Sequence, residues 1–155
     1  FRSSCKFQVT VDQNFAAVID ACAATRIDNV GTWITVAMNN AYNDLHQAGL
    51  AHSIEVWQEE VLVGGLYGLS LGNMFFGESM FASATDASKV AFYKLHELLT
   101  EWDFKLIDCQ MMNPHLASLG VLPMPRAEFL ALLERNSLEA TRLGSWQMPT
   151  SVTAL

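Results

Sequence analysis

Hydrophobic spacing along this chain switches between periods of two and of three to four. Phe7, Val9 and Val11 alternate with polar neighbours, the pattern of an edge strand. Phe15, Val18, Ile19 and Cys22 then form a helical stripe. They predict a helix over roughly residues 13–24, with Asp12 as its N-cap. Residues 26–31 read as a polar loop. Thr32-Trp33-Ile34-Thr35 opens a second helix that Gly49 ends, with Met38, Ala41, Tyr42 and Leu45 facing inward. Trp33 reads either as a core anchor or as a stacking platform.

Strands follow. Residues 52–57 alternate through Ile54 and Val56, and Gln58-Glu59-Glu60 forms a turn. Residues 61–71 are an apolar run broken by Gly64, Gly65 and Gly68, a sign of bulges or close backbone approach. Gly72-Asn73 predicts a tight hairpin into residues 74–81, where a bulge at Gly77 would turn both side-chain sets toward one cavity. Thr85 or Asp86 caps a helix to about Trp102, with Val90, Ala91, Leu95 and Leu98 inside. A short buried strand occupies 105–110, a helical turn follows at 114–119, and Pro125 opens a helix carrying Phe129, Leu130 and Leu133 to about Arg135. The last twenty residues read as a weakly ordered tail, for which Trp146 offers an anchor. The order β-α-α-β-β-β-α-β-α predicts an α/β (α+β) mixed sheet flanked by helices.

Composition narrows the function. The chain has 155 residues, about half of them apolar and few charged, which suits one globular domain. No apolar run is long enough to span a membrane as a helix. The chain starts at Phe1-Arg2 without a signal-peptide pattern and reads as a fragment. Its three cysteines are widely spaced, which fits reduced thiols better than a disulfide framework or a zinc site. A net charge of −7 with only nine Lys and Arg argues against broad contact with a phosphate backbone. Cationic substrates are electrostatically favoured.

Candidate chemistry is confined to a few polar residues. There is no P-loop, GxGxxG, GxSxG, HExxH or CxxC. His46, His52, His96 and His115 lack metal-ligand spacing, and only His115 falls near a candidate site. Glu78 sits among Phe, Met and Gly. Asp108 and Gln110 share one face of a core strand by alternation, with Ile107 and Cys109 on the other. An ionised carboxylate there is costly unless it is paired or hydrogen-bonded. Two acids and an amide beside an apolar cavity suit a hydrophobic group held next to a cation or an amine. A facing-water Glu78 and a structural Asp108 are the plainer alternatives.

HSIEVW (52–57), VGGLYG (63–68), FFGESMF (75–81), DASK (86–89), LIDCQ (106–110) and HLASLG (115–120) resemble the leucyl/phenylalanyl-tRNA–protein transferases of bacteria. TWIT (32–35) and PRAEFL (125–130) agree with that pattern. The resemblance covers residues 3–135. It implies an acetyltransferase-like (GNAT) catalytic domain over residues 1–135, a C-terminal tail at 136–155, and a family N-terminal domain that is absent here. It implies transfer of Leu or Phe, and also Met, from the 3′ end of aminoacyl-tRNA to proteins with N-terminal Arg or Lys. The product would enter the bacterial N-degron pathway in the cytoplasm. Leu66, Phe75, Met80, Phe92 and Ile107 would form the aminoacyl pocket, and Trp33 would stack on the terminal adenosine. Glu78 would receive the cationic acceptor. Gln110 and Asp108 would act on the attacking amine. The resemblance implies no metal, cofactor or membrane, and a monomer.

One departure concerns Ala82-Ser83, where many members carry Ser-Arg. Two other functions compete. An acyl-CoA N-acetyltransferase wants a glycine-rich loop for pyrophosphate, and residues 82–87 (ASATDA) offer no glycine and an acid. A non-catalytic protein that only binds N-terminal Arg or Lys peptides is the other.

Overall fold

The computed structural model describes residues 6–30, 34–147 and 151–154. Its elements are β1 (Lys6–Val11), α1 (Phe15–Val30), α2 (Val36–Gln47), β2 (Ala51–Gln58), β3 (Val61–Leu71) and β4 (Met74–Ala82). Then come α3 (Ala87–Glu101), β5 (Leu106–Asp108), α4 (Pro114–Ser118), α5 (Arg126–Asn136) and β6 (Ser151–Ala154). The strands form a six-stranded sheet in the order β5-β4-β3-β2-β1-β6. Only β4 and β5 run parallel; the other neighbours are antiparallel. The mixed sheet is therefore the architecture predicted from the pattern.

Helices cover both faces. Phe15, Val18, Ile19 and Cys22 of α1 pack with Tyr67 and Phe81 on one side. On the other, Val90, Ala91, Leu95 and Leu98 of α3 pack on Val56, Leu66 and Phe75. The glycines of β3 allow this approach: a Cβ on Gly64 would lie 2.6 Å from that of Ala87 at the start of α3. Gly72 and Asn73 make the two-residue hairpin, and Asn136 clamps it from the end of α5. Its amide donates to Leu71 O at 2.8 Å and accepts from Asn73 N at 2.8 Å.

Several boundaries differ from the pattern. Asp12 is not the N-cap of α1. It is buried with φ 55, and its carboxylate accepts from Ser53 N, His52 Nδ1 and Trp146 N. Asn14 caps α1 instead, and Glu55 receives the N–H groups of Gln13 and Asn14. Helix α1 also runs through the expected loop to Val30, because no Pro or Gly interrupts it. Helix α2 starts later, capped by Thr35 onto Met38 N, and it buries no residue completely; Ala41 is exposed. Asp86 precedes α3 in a left-handed conformation without a side-chain cap. The segment after 135 is tied to the body. Trp146 is buried against a stacked His52, and β6 pairs with β1.

Candidate functional site

Strands β4 and β5 stay paired only from Met74↔Leu106 to Phe76↔Asp108. Beyond that point they part, and β4 bulges. Gly77 faces Gly68 and Ser79 faces Tyr67, so Glu78 is the extra residue of the bulge. A cavity of about 210 Å³ opens at this divergence. Leu66, Phe75, Met80, Phe92 and Ile107 all line it, joined by Leu95 and Leu116. Glu78, Ser79, Gln110, Asn113 and His115 bring polar atoms to the same cavity.

Gln110 is held from two sides. Its Nε2 donates to Gly77 O at 2.9 Å, which ties the end of β5 to the bulge of β4. Its backbone N–H donates to Asp108 Oδ1 at 2.8 Å. Gln110 itself has φ 66, so the extended alternation stops before it. Asp108 and Gln110 line one hollow together, on the outer side of β5, and only Gln110 also reaches the cavity. Cys109, expected on the opposite face from Gln110, lines the cavity beside it. Burial, and then the charge of Asp108, push the Cys109 thiol upward and keep it protonated.

Glu78 is half-buried rather than facing water, and it hydrogen-bonds Tyr42 of α2. The Tyr42 phenol is pushed up to about 12, first by burial, then by the charge of Glu78 and the bond they share. It therefore remains a neutral donor to Glu78 at any physiological pH. Periodicity had marked Tyr42 only as an inward helix residue, because nothing local connects α2 with the bulge. Ser79 was also missed. Its Oγ is buried at the cavity wall with no hydrogen-bond partner among the described residues. His115 Nε2 lies 3.3 Å from Ser88 Oγ at the start of α3. Asn113 caps α4 by accepting from Leu116 N at 2.8 Å. Trp33 lies outside the described residues.

The buried acids Asp12 and Glu55 do not belong to this site. Glu55 is fully enclosed by the hydroxyls of Thr10 and Ser53 and the N–H groups before α1. Glu55 thus accepts four hydrogen bonds and Asp12 three, so both carboxylates are committed inside the fold. Among the described residues no group of His, Cys, Asp and Glu is arranged to hold a metal ion, and no helix is long and apolar enough to cross a membrane.

A parted β4/β5 pair beside a β4 bulge, flanked by helices on both faces, defines an acetyltransferase-like fold. An aminoglycoside acetyltransferase from an uncultured soil sample superposes with a TM-score of 0.52 at 12% identity, over 84% of this chain and 86% of that one. An aminoglycoside N-acetyltransferase solved with coenzyme A gives 0.50 at 9% identity, over 92% and 94%. Sequence relatives are much nearer. The leucyl/phenylalanyl-tRNA–protein transferase of Ectopseudomonas mendocina is 59% identical over 84% of this chain and 58% of its own length. That of Azotobacter vinelandii is 60% identical over 80% of this chain and 55% of its own. A model of the leucyl/phenylalanyl-tRNA protein transferase family matches residues 1–134. The chain belongs to this family. It spans little more than half the length of these two relatives.

Proposed function

We propose that this chain forms the catalytic domain of an aminoacyltransferase. It takes Leu or Phe, and also Met, from the 3′ end of aminoacyl-tRNA and joins it to the α-amino group of a protein beginning with Arg or Lys. The observation that carries the reading is the convergence of five apolar side chains with Gln110 and Glu78 on one cavity. A cavity of about 210 Å³ walled by Leu66, Phe75, Met80, Phe92 and Ile107 suits a Leu, Phe or Met side chain. Discrimination by shape in such a pocket is worth roughly 1–3 kcal/mol per misplaced methyl.

The chemistry is aminolysis of an activated ester. The amine nitrogen attacks the ester carbonyl, the new C–N bond forms, and the C–O bond to the terminal ribose breaks. The proton lost by the amine ends on the departing ribose hydroxyl. Because Gln110 donates through Nε2 to Gly77 O, its Oε1 is the atom left to accept a hydrogen from the amine. That contact orients the nitrogen lone pair toward the carbonyl, and orientation of two bound reactants supplies much of the rate. Asp108 acts through Gln110, whose backbone it fixes. The Glu78 carboxylate, steadied by Tyr42, receives the Arg or Lys side chain of the acceptor. Cys109, kept as a thiol, fits an apolar wall and not a nucleophile.

Trp33 would stack on the terminal adenosine, a contact worth about 1–3 kcal/mol that requires no basic surface. A net charge of −7 restricts this chain to the end of the tRNA. In this reading residues 1–135 are the catalytic domain, 136–155 follow it as a tail, and the protein works as a cytoplasmic monomer feeding an N-degron pathway. The acyl-CoA reading is disfavoured by Asp86, an acid at the start of α3, where a pyrophosphate would have to sit. The test is transfer of labelled Leu from Leu-tRNA to an Arg-initiated peptide, with Gln110→Ala alongside. Transfer lost in the variant supports the reading. Peptide binding without transfer by the unaltered chain supports a protein that only captures such N-termini.

A further inference from the structure

We infer that the open edge of β5 holds the acceptor polypeptide beyond its first residue, as an added strand. This rests on the acceptor being a polypeptide whose amine meets Gln110.

Strand β5 ends the sheet, so one of its sides has no neighbouring strand among the described residues. Lys105 N donates inward to Asn73 O at 2.8 Å. Backbone groups of a strand alternate in direction, so Lys105 and Ile107 address β4 while Leu106 presents N–H and C=O outward and Asp108 its N–H. The Asp108 carbonyl instead lies toward Gly77 of β4, 3.4 Å from where a Cβ there would sit. Along this edge lies a hollow of about 510 Å³, closed on its far side by Val121–Met124, Arg126 and Phe129. Ile107, Cys109, Gln110 and Met111 line both this hollow and the aminoacyl cavity. The two are therefore adjacent, with Gln110 on the wall they share. A chain whose amine lies there has its next residues beside β5. From Gln110 back to Leu106 is the reach of about four extended residues at roughly 3.3 Å each.

The walls suit an occupant of variable sequence. Met111 is 68% exposed, Met112 47% and Met124 38%, and the last two line the hollow with Met111. Methionine is flexible and polarisable and adapts to differing side chains. Main-chain pairing at a strand edge is likewise indifferent to side chains. Asp108, which lines the hollow, and the net charge of −7 favour a chain led by a cation. Together these features recognise polypeptide as such, while the first residue is read at Glu78.

Transfer kinetics on an Arg-Ala dipeptide and a six-residue Arg-initiated peptide test the inference. KM is expected to fall about tenfold with length, the effect of one or two hydrogen bonds. Scrambling residues three to six should leave that gain intact. Methylating the backbone nitrogens of the long peptide one at a time should cancel the gain at one parity and spare it at the other. Equal KM for the two lengths, or equal effects at both parities, overturns the inference while leaving the transferase reading standing. If neither peptide is a substrate, that reading fails on its own, and amide NMR decides the edge. Shifts at Leu106 and Asp108 with the long peptide alone support the inference, and their absence overturns it. Protection of those amides without peptide, together with a doubled mass in solution, would assign the edge to a second copy and overturn it too.

Discussion

Asp108 accepts the backbone N–H of Gln110 at 2.8 Å, while the Gln110 side chain reaches across to Gly77 O of β4 at 2.9 Å. The two residues line one hollow together, and only Gln110 also reaches the aminoacyl cavity. The carboxylate acts on the conformation of its neighbour, holding a left-handed residue in place. Left-handed backbone in a non-glycine residue is unfavourable by roughly 1 kcal/mol or more, and a carboxylate–amide bond offsets that.

A positioning role and a proton-transfer role give different outcomes at Asp108. Asparagine retains an oxygen that accepts from Gln110 N, whereas alanine retains none. Asp108→Asn should keep transfer within about tenfold of the unaltered chain, and Asp108→Ala should lose roughly a hundredfold. Single-turnover transfer rates, measured from pH 5 to 9, check this. Equal loss in both variants, with the acid limb of the profile abolished, would make the carboxylate a base.

Removing the Gln110 amide takes away the proposed contact with the amine. Gln110→Ala should lower kcat by about a hundredfold, a size typical of one oriented hydrogen bond in the transition state. Binding of an Arg-initiated peptide should change little, and fluorescence anisotropy of labelled peptide measures it. A loss of binding equal to the loss of rate would sink the orienting role.

The cavity wall sets which amino acid is moved. Phe92 is half-buried and lines the cavity, so Phe92→Ala enlarges it. The ratio of kcat/KM for Phe over Leu should rise about tenfold, within the range open to apolar pockets. Competing charged tRNAs in one reaction read the ratio directly. An unchanged ratio would place the side chain of the aminoacyl group elsewhere.

Tyr42 reports on Glu78. With its phenol pushed up to about 12, absorbance titration should show one tyrosine ionising well above the ordinary 10. In Glu78→Gln that value should fall toward 10, because the charge that opposes ionisation is gone. The sign for stability follows from the same shift. The folded state holds the proton more tightly, so stability is full below pH 10 and declines as pH rises from 10 to about 12. A Tyr42 titration indifferent to Glu78→Gln would show that the two do not meet. Tyr42→Phe should raise KM for Arg-initiated peptides and leave kcat nearly unchanged.

Trp146 tests the attachment of the C-terminal segment. Its ring stacks on His52 at 3.6 Å between centroids, and its backbone N–H donates to the buried Asp12 at 2.8 Å. Trp146→Ala should cost about 3–5 kcal/mol, as for other buried aromatics. Urea unfolding measures it. A cost below 1 kcal/mol would mean that the segment is peripheral.

Local pattern alone determined most of the architecture. The order of elements from β1 to α5, the Gly72-Asn73 hairpin, the inner face of α3 and the bulge near Gly77 follow from periodicity and turn chemistry over a few residues, whereas β6 falls in what reads as a tail. The motifs spread along residues 32–130 were enough to place the chain in its family, since each survives as a short readable string. What the sequence could not supply was any relation between residues distant in the chain or set by an exceptional backbone angle. Asp12 looks like a helix cap until Ser53, His52 and Trp146 arrive from elsewhere to claim its carboxylate. Tyr42 looks like ordinary core until the β4 bulge brings Glu78 to it. Alternation put Asp108 and Gln110 on one face; Gln110, at a φ of 66°, shares the outer hollow with Asp108 and alone also reaches the aminoacyl cavity. Periodicity encodes which side of an element is apolar, because burial acts on each residue independently. Which polar groups meet depends on packing between elements, and only the tertiary structure decides that.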